Sequence, residues 1–167
     1  LAYTVDVVSK VMAVRFLTDH PDVPLLGDVL QLTLIRNPGA AFSTGTRFTV
    51  ALSCLALAAI VVVVWLSRRL ASHGWAVALG LLLAGVAGNF TDRVFREPGF
   101  FRGHVVDFLR LPNWPIFNVA DICIDVAAAL PRSASCFSAA SIWRAIALAV
   151  WPPSRAVLRP TRSLAWI

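Results

Sequence analysis

From Phe48 to Leu66 the chain runs nineteen residues without a charge, and Arg68 and Arg69 close the run. A helix needs roughly 20 apolar residues to cross the hydrocarbon core of a bilayer, so this stretch reads as a membrane span. A second run, Trp75 to about Phe90, has the same character and carries Gly80, Ala84 and Gly88 at four-residue spacing. Small residues so spaced let another helix approach closely; they are a packing signal and carry no chemistry. Two weaker spans flank this pair. Leu1 to Leu17 is apolar but holds Asp6, Lys10 and Arg15, while Pro115 to Leu130 is apolar but holds Asp121 and Asp125. Pro131 then breaks the last of them. Composition points to the same solvent. Of the 167 residues 58% are hydrophobic and 14% charged, with a mean hydropathy of +0.74, where a soluble domain carries about a quarter charged residues. The expected fold is an all-α membrane protein with four transmembrane helices (about 1–17, 48–66, 75–91 and 115–130). A small, β-rich extracytoplasmic region is expected to carry the functional site. Residues 1–130 would form this domain and 131–167 a basic tail rich in Arg, Ser, Pro and Trp.

The formal charge of +6 rests on fourteen arginines and the single lysine, Lys10. The arginines are scattered between apolar runs rather than striped along one face, so they read as flanks of membrane spans and not as a nucleic-acid footprint. The short Ser67–Gly74 link carries Arg68, Arg69 and His73, which by the positive-inside tendency places it in the cytoplasm. The segment between the third and fourth spans, with Asp92, Glu97 and Asp107, then lies outside. Trp65, Trp75 and Trp114 read as interfacial anchors. Cys54, Cys123 and Cys136 show neither a CxxC nor zinc spacing, so neither a disulfide framework nor a metal site is supported. The chain opens on Leu1 with no charged region or cleavage site ahead of it, and no cleavable signal peptide is read. The first helix either lacks its start or follows a non-standard start codon. From Arg132 onward no acid occurs. The tail reads as disordered basic chain, as an interfacial helix, or as the result of a reading-frame change after about Ala129.

Ionisable groups at membrane depth are costly, so each asks for a reason. Here the polar residues fall into five clusters: Asp6 with Lys10; Asn37-Pro-Gly-Ala-Ala-Phe-Ser43; Asn89 with Asp92-Arg93; His104-Val-Val-Asp107-Phe; and Phe117-Asn118-Val-Ala-Asp121. Asp6 and Lys10 are one helical turn apart and can pair. The last four clusters map to the outer side. Two carboxylates held close in a low-dielectric site cannot both ionise comfortably, so one keeps its proton while the other stays charged. Such a pair can activate a water as general base and protonate a leaving amine as general acid, with no metal or nucleophilic side chain. Asp107 and Asp121, fourteen residues apart on the outer loop and at the mouth of the fourth span, fit this role.

Five motifs in this order resemble the lipoprotein signal peptidases (signal peptidase II). That family's pattern is D-x-x-[ST]-K in the first helix, N-x-G-A-A-F-S after it, G-N-x-x-D-R ending the third helix, then V-V-D-F and F-N-x-A-D. The chain reads Asp6-Val-Val-Ser-Lys10, Asn37-Pro-Gly-Ala-Ala-Phe-Ser43, Gly88-Asn-Phe-Thr-Asp-Arg93, Val105-Val-Asp107-Phe and Phe117-Asn-Val-Ala-Asp121. The resemblance covers about residues 4–126; each motif alone is weak, and five in order are specific. It implies an aspartyl endopeptidase in the cytoplasmic membrane of a bacterium. Such an enzyme removes the signal peptide from a prolipoprotein just before a cysteine carrying diacylglycerol. Asp107 and Asp121 would be the catalytic pair. Asn37, Gly39, Asn89, Asp92, Arg93 and Asn118 would shape the site, with Asp6 and Lys10 supporting it. The resemblance implies no cofactor, no metal and no nucleic acid; the partners would be the lipidated substrate and membrane lipid, and the state a monomer. Asp125 departs from the pattern: one turn beyond Asp121, it is expected on the same face, where a third carboxylate would disturb the pair's titration.

Other readings of these residues are plainer. Asp107 and Asp121 alone could be a loop and a helix-cap aspartate, and Asn37-Pro38-Gly39 a turn. Asp92-Arg93 reads as a structural ion pair. His104 reads as a solvated loop histidine, Ser43 has no His–Asp partnership, and Ser9 and Lys10 point apart on a helix. Two further functions remain open: a small helical transporter, which would string acids along the depth of several helices, and a non-catalytic family remnant.

Overall fold

The computed structural model describes residues 1–39, 46–68 and 73–130; the tail from residue 131 and Ser43 lie outside them. The elements in order are α1 (Ala2–Leu17), β1 (Val23–Leu26), β2 (Leu30–Asn37), α2 (Thr46–Ser67), α3 (His73–Phe95), β3 (Val105–Arg110) and α4 (Val119–Ala129). Among the described residues two helices are long and apolar enough to cross a membrane. They are Thr49–Ser67, with a mean hydropathy of 2.7, and His73–Phe95, at 1.5. The sixteen residues of α1 and the eleven of α4 reach only about 24 and 16 Å at 1.5 Å per residue.

Two boundaries differ from the expected ones. Helix α3 continues to Phe95, so Asp92 and Arg93 sit inside its last turns. Helix α4 starts at Val119 instead of Pro115. Asn118 is its N-cap and closes a capping box with Asp121, which fixes the helix start at that pair. The residues ahead of it are drawn into the sheet by a bridge between Phe117 and Leu109.

Helices α2, α3 and α4 share one apolar core built on Ala59, Val63, Leu82, Val86, Ile124 and Ala127. Close approach of α3 to its neighbours depends on two glycines. A Cβ on Gly85 would collide with the backbone carbonyl of Ala120, and one on Gly88 with the Asp6 carboxylate. Gly80, at the head of the expected small-residue stripe, has open space around it.

Helix α1 buries Asp6, Lys10, Ala13 and Leu17 and exposes Val5, Val8, Val11, Met12 and Phe16. Charges inward and valines outward is the reverse of a water-soluble helix. Its last turns pack on a three-stranded antiparallel sheet in the order β1-β2-β3. Ala13 and Leu17 meet Val106 and Phe108 there, with Leu32 and Leu34 alongside. Side chains alternate across a strand, so Val106 and Phe108 facing α1 send Asp107 to the other face.

Candidate active site

Asp107 is 2% exposed and Asp121 5%. Asn118 joins them. Its Nδ2 donates to Asp107 Oδ1 at 2.7 Å, its backbone N–H donates to Asp121 Oδ2 at 3.0 Å, and its Oδ1 accepts from the Asp121 backbone N–H at 3.1 Å. The capping box that starts α4 is therefore also the bridge between the two aspartates. The remaining oxygen of each carboxylate has its own amide. Asn37, the last residue of β2, donates to Asp107 Oδ2 at 2.9 Å, and Asn89 donates to Asp121 Oδ1 at 2.9 Å.

A buried cation stands behind these amides. Lys10 Nζ donates to Asn89 Oδ1 at 2.8 Å and pairs with Asp6 at 2.9 Å and Asp92 at 3.1 Å. Asn89 Oδ1 also accepts from Asn118 Nδ2 at 3.2 Å, which closes the network. Each acid in this layer holds a second element in place. Asp6 accepts the Ala120 N–H at 2.8 Å, tying α1 to the start of α4. Asp92 accepts the Val106 N–H at 3.2 Å, tying α3 to β3.

The expected residues thus come together with two corrections. Asp92 does not pair with Arg93 but with Lys10 and with Arg96. Successive residues on a helix point about 100° apart, whereas Arg96, four on, shares Asp92's face. The spacing was visible in the sequence, and Arg96 is the residue that its reading missed. Arg93 is buried beside Gly39, and its Nη1 has no hydrogen-bond partner among the described residues. The second correction concerns Asp125, which is exposed. The buried arc of α4 holds Ala120, Cys123, Ile124 and Ala127, with Asp121 at its edge. Four residues turn a helix about 40° past a full circle, enough to carry Asp125 out of that arc. Gly39 takes a positive φ of 99°, and its N–H donates to Asn37 Oδ1 at 2.9 Å. That turn orients the Asn37 amide toward Asp107. His104 is half-buried on the opposite side of the sheet from the aspartates. Cys123 is a free, buried thiol and Cys54 an exposed one. Among the described residues no three metal-ligating side chains converge.

Burial pushes the Asp107 carboxyl from its ordinary 3.8 up to about 6, against the Asn37 and Asn118 hydrogen bonds and the charge of Lys10, which pull it down. The folded chain therefore holds this proton more tightly than the unfolded one. As pH rises from about 4 to about 6 the unfolded state ionises first, so this group's contribution to stability falls across that window and is level above it. Asp107→Asn removes the titration. Its stability relative to the parent in detergent should rise between pH 4 and pH 7, by on the order of 2 kcal/mol. A gap in melting temperature that is the same at both pH values would count against a buried, late-ionising Asp107.

Comparison with known proteins gives the family of the chain. The family model described as "Signal peptidase (SPase) II" matches residues 1–137. The chain belongs to the signal peptidase II family. It is 52% identical over 116 residues to the lipoprotein signal peptidase of Mycolicibacterium smegmatis, covering 70% of this chain and 49% of that one. To the protein of the same name from Mycobacterium leprae it is 48% identical over 127 residues, covering 76% and 63%. It thus spans about half to two thirds of the length of these relatives. A solved structure described as a bacterial membrane enzyme superposes with a TM-score of 0.69 at 27% identity. That match covers 77% of this chain and 83% of the other. For a signal peptidase II family member, the helices rich in exposed apolar side chains belong in a membrane.

Proposed function

We propose that this family member is an aspartyl endopeptidase that cuts the signal peptide from diacylglyceryl-modified prolipoproteins, just before the lipidated cysteine, with Asp107 and Asp121 as its catalytic pair. The observation that carries the reading is the Asn118 bridge, which holds two buried carboxylates from different elements in one fixed relation. One carboxylate of the pair takes a proton from water, and the water oxygen adds to the scissile carbonyl carbon. The protonated partner polarises that carbonyl. Collapse of the tetrahedral species breaks the C–N bond, and a carboxyl proton passes to the leaving amine. Amides on all four carboxylate oxygens keep the pair oriented while the proton changes place. Arg93 Nη1, buried and without a partner among the described residues, is available to a backbone carbonyl of the substrate. Asp6, Lys10, Asn89 and Asp92 hold Asn118 and β3 in position. The acids are bound into one closed network rather than strung along a pathway, which argues against a transporter.

All four helices cross or enter the bilayer in this reading, with the sheet at the outer face of the bacterial cytoplasmic membrane. The inverted pattern of α1, charged within and apolar without, supports its placement in lipid. The short α1 ends at the sheet and α4 starts there, so in this reading the aspartates lie at the membrane surface, where a lipid-anchored substrate presents its scissile bond. The enzyme would work as a monomer without cofactor, metal or nucleic acid. A gel-shift assay in detergent with a diacylglyceryl-modified prolipoprotein and its unmodified form tests this. Cleavage of the lipidated form alone is expected. Cleavage of neither form, by a chain shown to be folded, would refute the peptidase reading.

A further inference from the structure

On the face of the sheet away from the aspartates lies a cavity of about 260 Å³, with Arg36, Arg96, Glu97 and His104 on its polar side and Val14, Phe95 and Val106 on its apolar side. This is room for roughly eight waters at ~30 Å³ each, or for a phosphate with the first atoms of its esters. Strand alternation separates it from the dyad. Asn37 reaches Asp107, whereas its neighbour Arg36 lies across from Val106, whose side chain faces α1.

Its position along the membrane normal follows from the placement proposed above, on which this inference rests. The apolar span of α3 ends at Phe95, and Arg96 follows at once. Phe95 is 82% exposed, and the outward valines of α1 lead up to Val14. The cavity therefore opens where hydrocarbon gives way to headgroups. A pocket in which two arginines outweigh the one carboxylate of Glu97, with an apolar wall at that level, suits the phosphate of a lipid whose chains run down the apolar side. Arg96 commits Nε to Asp92, which leaves its terminal nitrogens as donors. Arg36 stands 3.6 Å from Glu97, but both are largely exposed, Glu97 at 89%; such a pair is weak and yields to a better-placed anion. His104 is fixed against this wall. Its backbone N–H donates to the Glu97 carbonyl at 3.0 Å, and the preceding Gly103 lies so tightly on the end of α3 that a Cβ would meet the Asp92 carbonyl.

We propose that the pocket between Arg36, Arg96 and His104 holds the phosphate of a membrane phospholipid. A headgroup there pins β2 and β3 to the membrane surface from the side away from the aspartates. Binding of dihexanoyl-phosphatidylglycerol to the full chain in a neutral detergent, counted by native mass spectrometry, tests this. Dihexanoylglycerol and inorganic phosphate serve as comparison probes. The parent should hold one phospholipid, with the phosphate-free lipid and the free ion both far weaker. Arg36→Gln, which lies outside the aspartate network, should weaken phospholipid binding about tenfold, the usual cost of one charge-assisted hydrogen bond. His104→Gln tests the same wall if Arg36→Gln does not fold. Equal retention by folded variants, or equal binding of dihexanoylglycerol, would overturn the site. Free phosphate binding as tightly as the phospholipid would overturn its assignment to a lipid.

Discussion

Asp107→Asn and Asp121→Asn should each lower cleavage of a lipidated prolipoprotein at least a thousandfold, on the scale seen when one member of an interdependent catalytic group is removed. Asparagine keeps the shape and one carbonyl acceptor, so one of the two hydrogen bonds that each carboxylate accepts can persist, while the new NH2 faces a donor. What is lost is a group that can take or give a proton. The two losses should not add, because either change leaves one carboxyl to do work that requires two. Asp125→Asn is the matched control, since this exposed carboxylate lies outside the network, and its rate should stay within about twofold of the parent. Measurement is by gel shift on protein whose helicity and gel-filtration profile match the parent. Substantial cleavage by folded Asp121→Asn would exclude the two-carboxylate mechanism.

The second large effect is on folding. Lys10 is fully buried and is the cation between Asp6 and Asp92. Lys10→Met leaves both carboxylates in a low-dielectric interior, with Arg96 reaching only Asp92. Breaking a buried pair from one side costs about 3–5 kcal/mol. Most or all of the folded protein should be lost in a detergent melt. The double variant Asp6→Asn with Lys10→Met removes the stranded charge and keeps an acceptor for the Ala120 N–H. It should regain part of the stability. If the double variant is no more stable than Lys10→Met, the damage comes from lost packing and not from an uncompensated carboxylate.

Much of this architecture was legible in the chain. The uncharged Phe48–Leu66 run gave α2 to within two residues at its start and one at its end. The i,i+4 spacing of Asp6 and Lys10 became an ion pair because a helix alone puts those positions together. Asn118 three residues before Asp121 is a capping box at the level of sequence, although the expected span began at Pro115. Where the reading went astray, the cause was orientation about a helix axis. Asp92 was assigned its neighbour in sequence and found its partners one turn away and on another helix. Asp125 was assigned the face of Asp121, yet 40° of rotation sufficed to carry it outside.

Local sequence, then, determined which segments are helical, which are apolar enough for a membrane, and which motifs hold the carboxylates and amides. These depend on periodicity and on contacts within a turn, and a short window of chain contains both. Tertiary structure alone decided that Asn118 would reach Asp107 and that Asn89 would stand between Lys10 and Asp121. Those relations join residues from 11 to 79 positions apart. They exist only because Gly85 and Gly88 let α1, α3 and α4 approach until their polar groups can satisfy one another. A hydrogen bond is lost over a fraction of an ångström, and no spacing in a sequence fixes a distance between helices that finely.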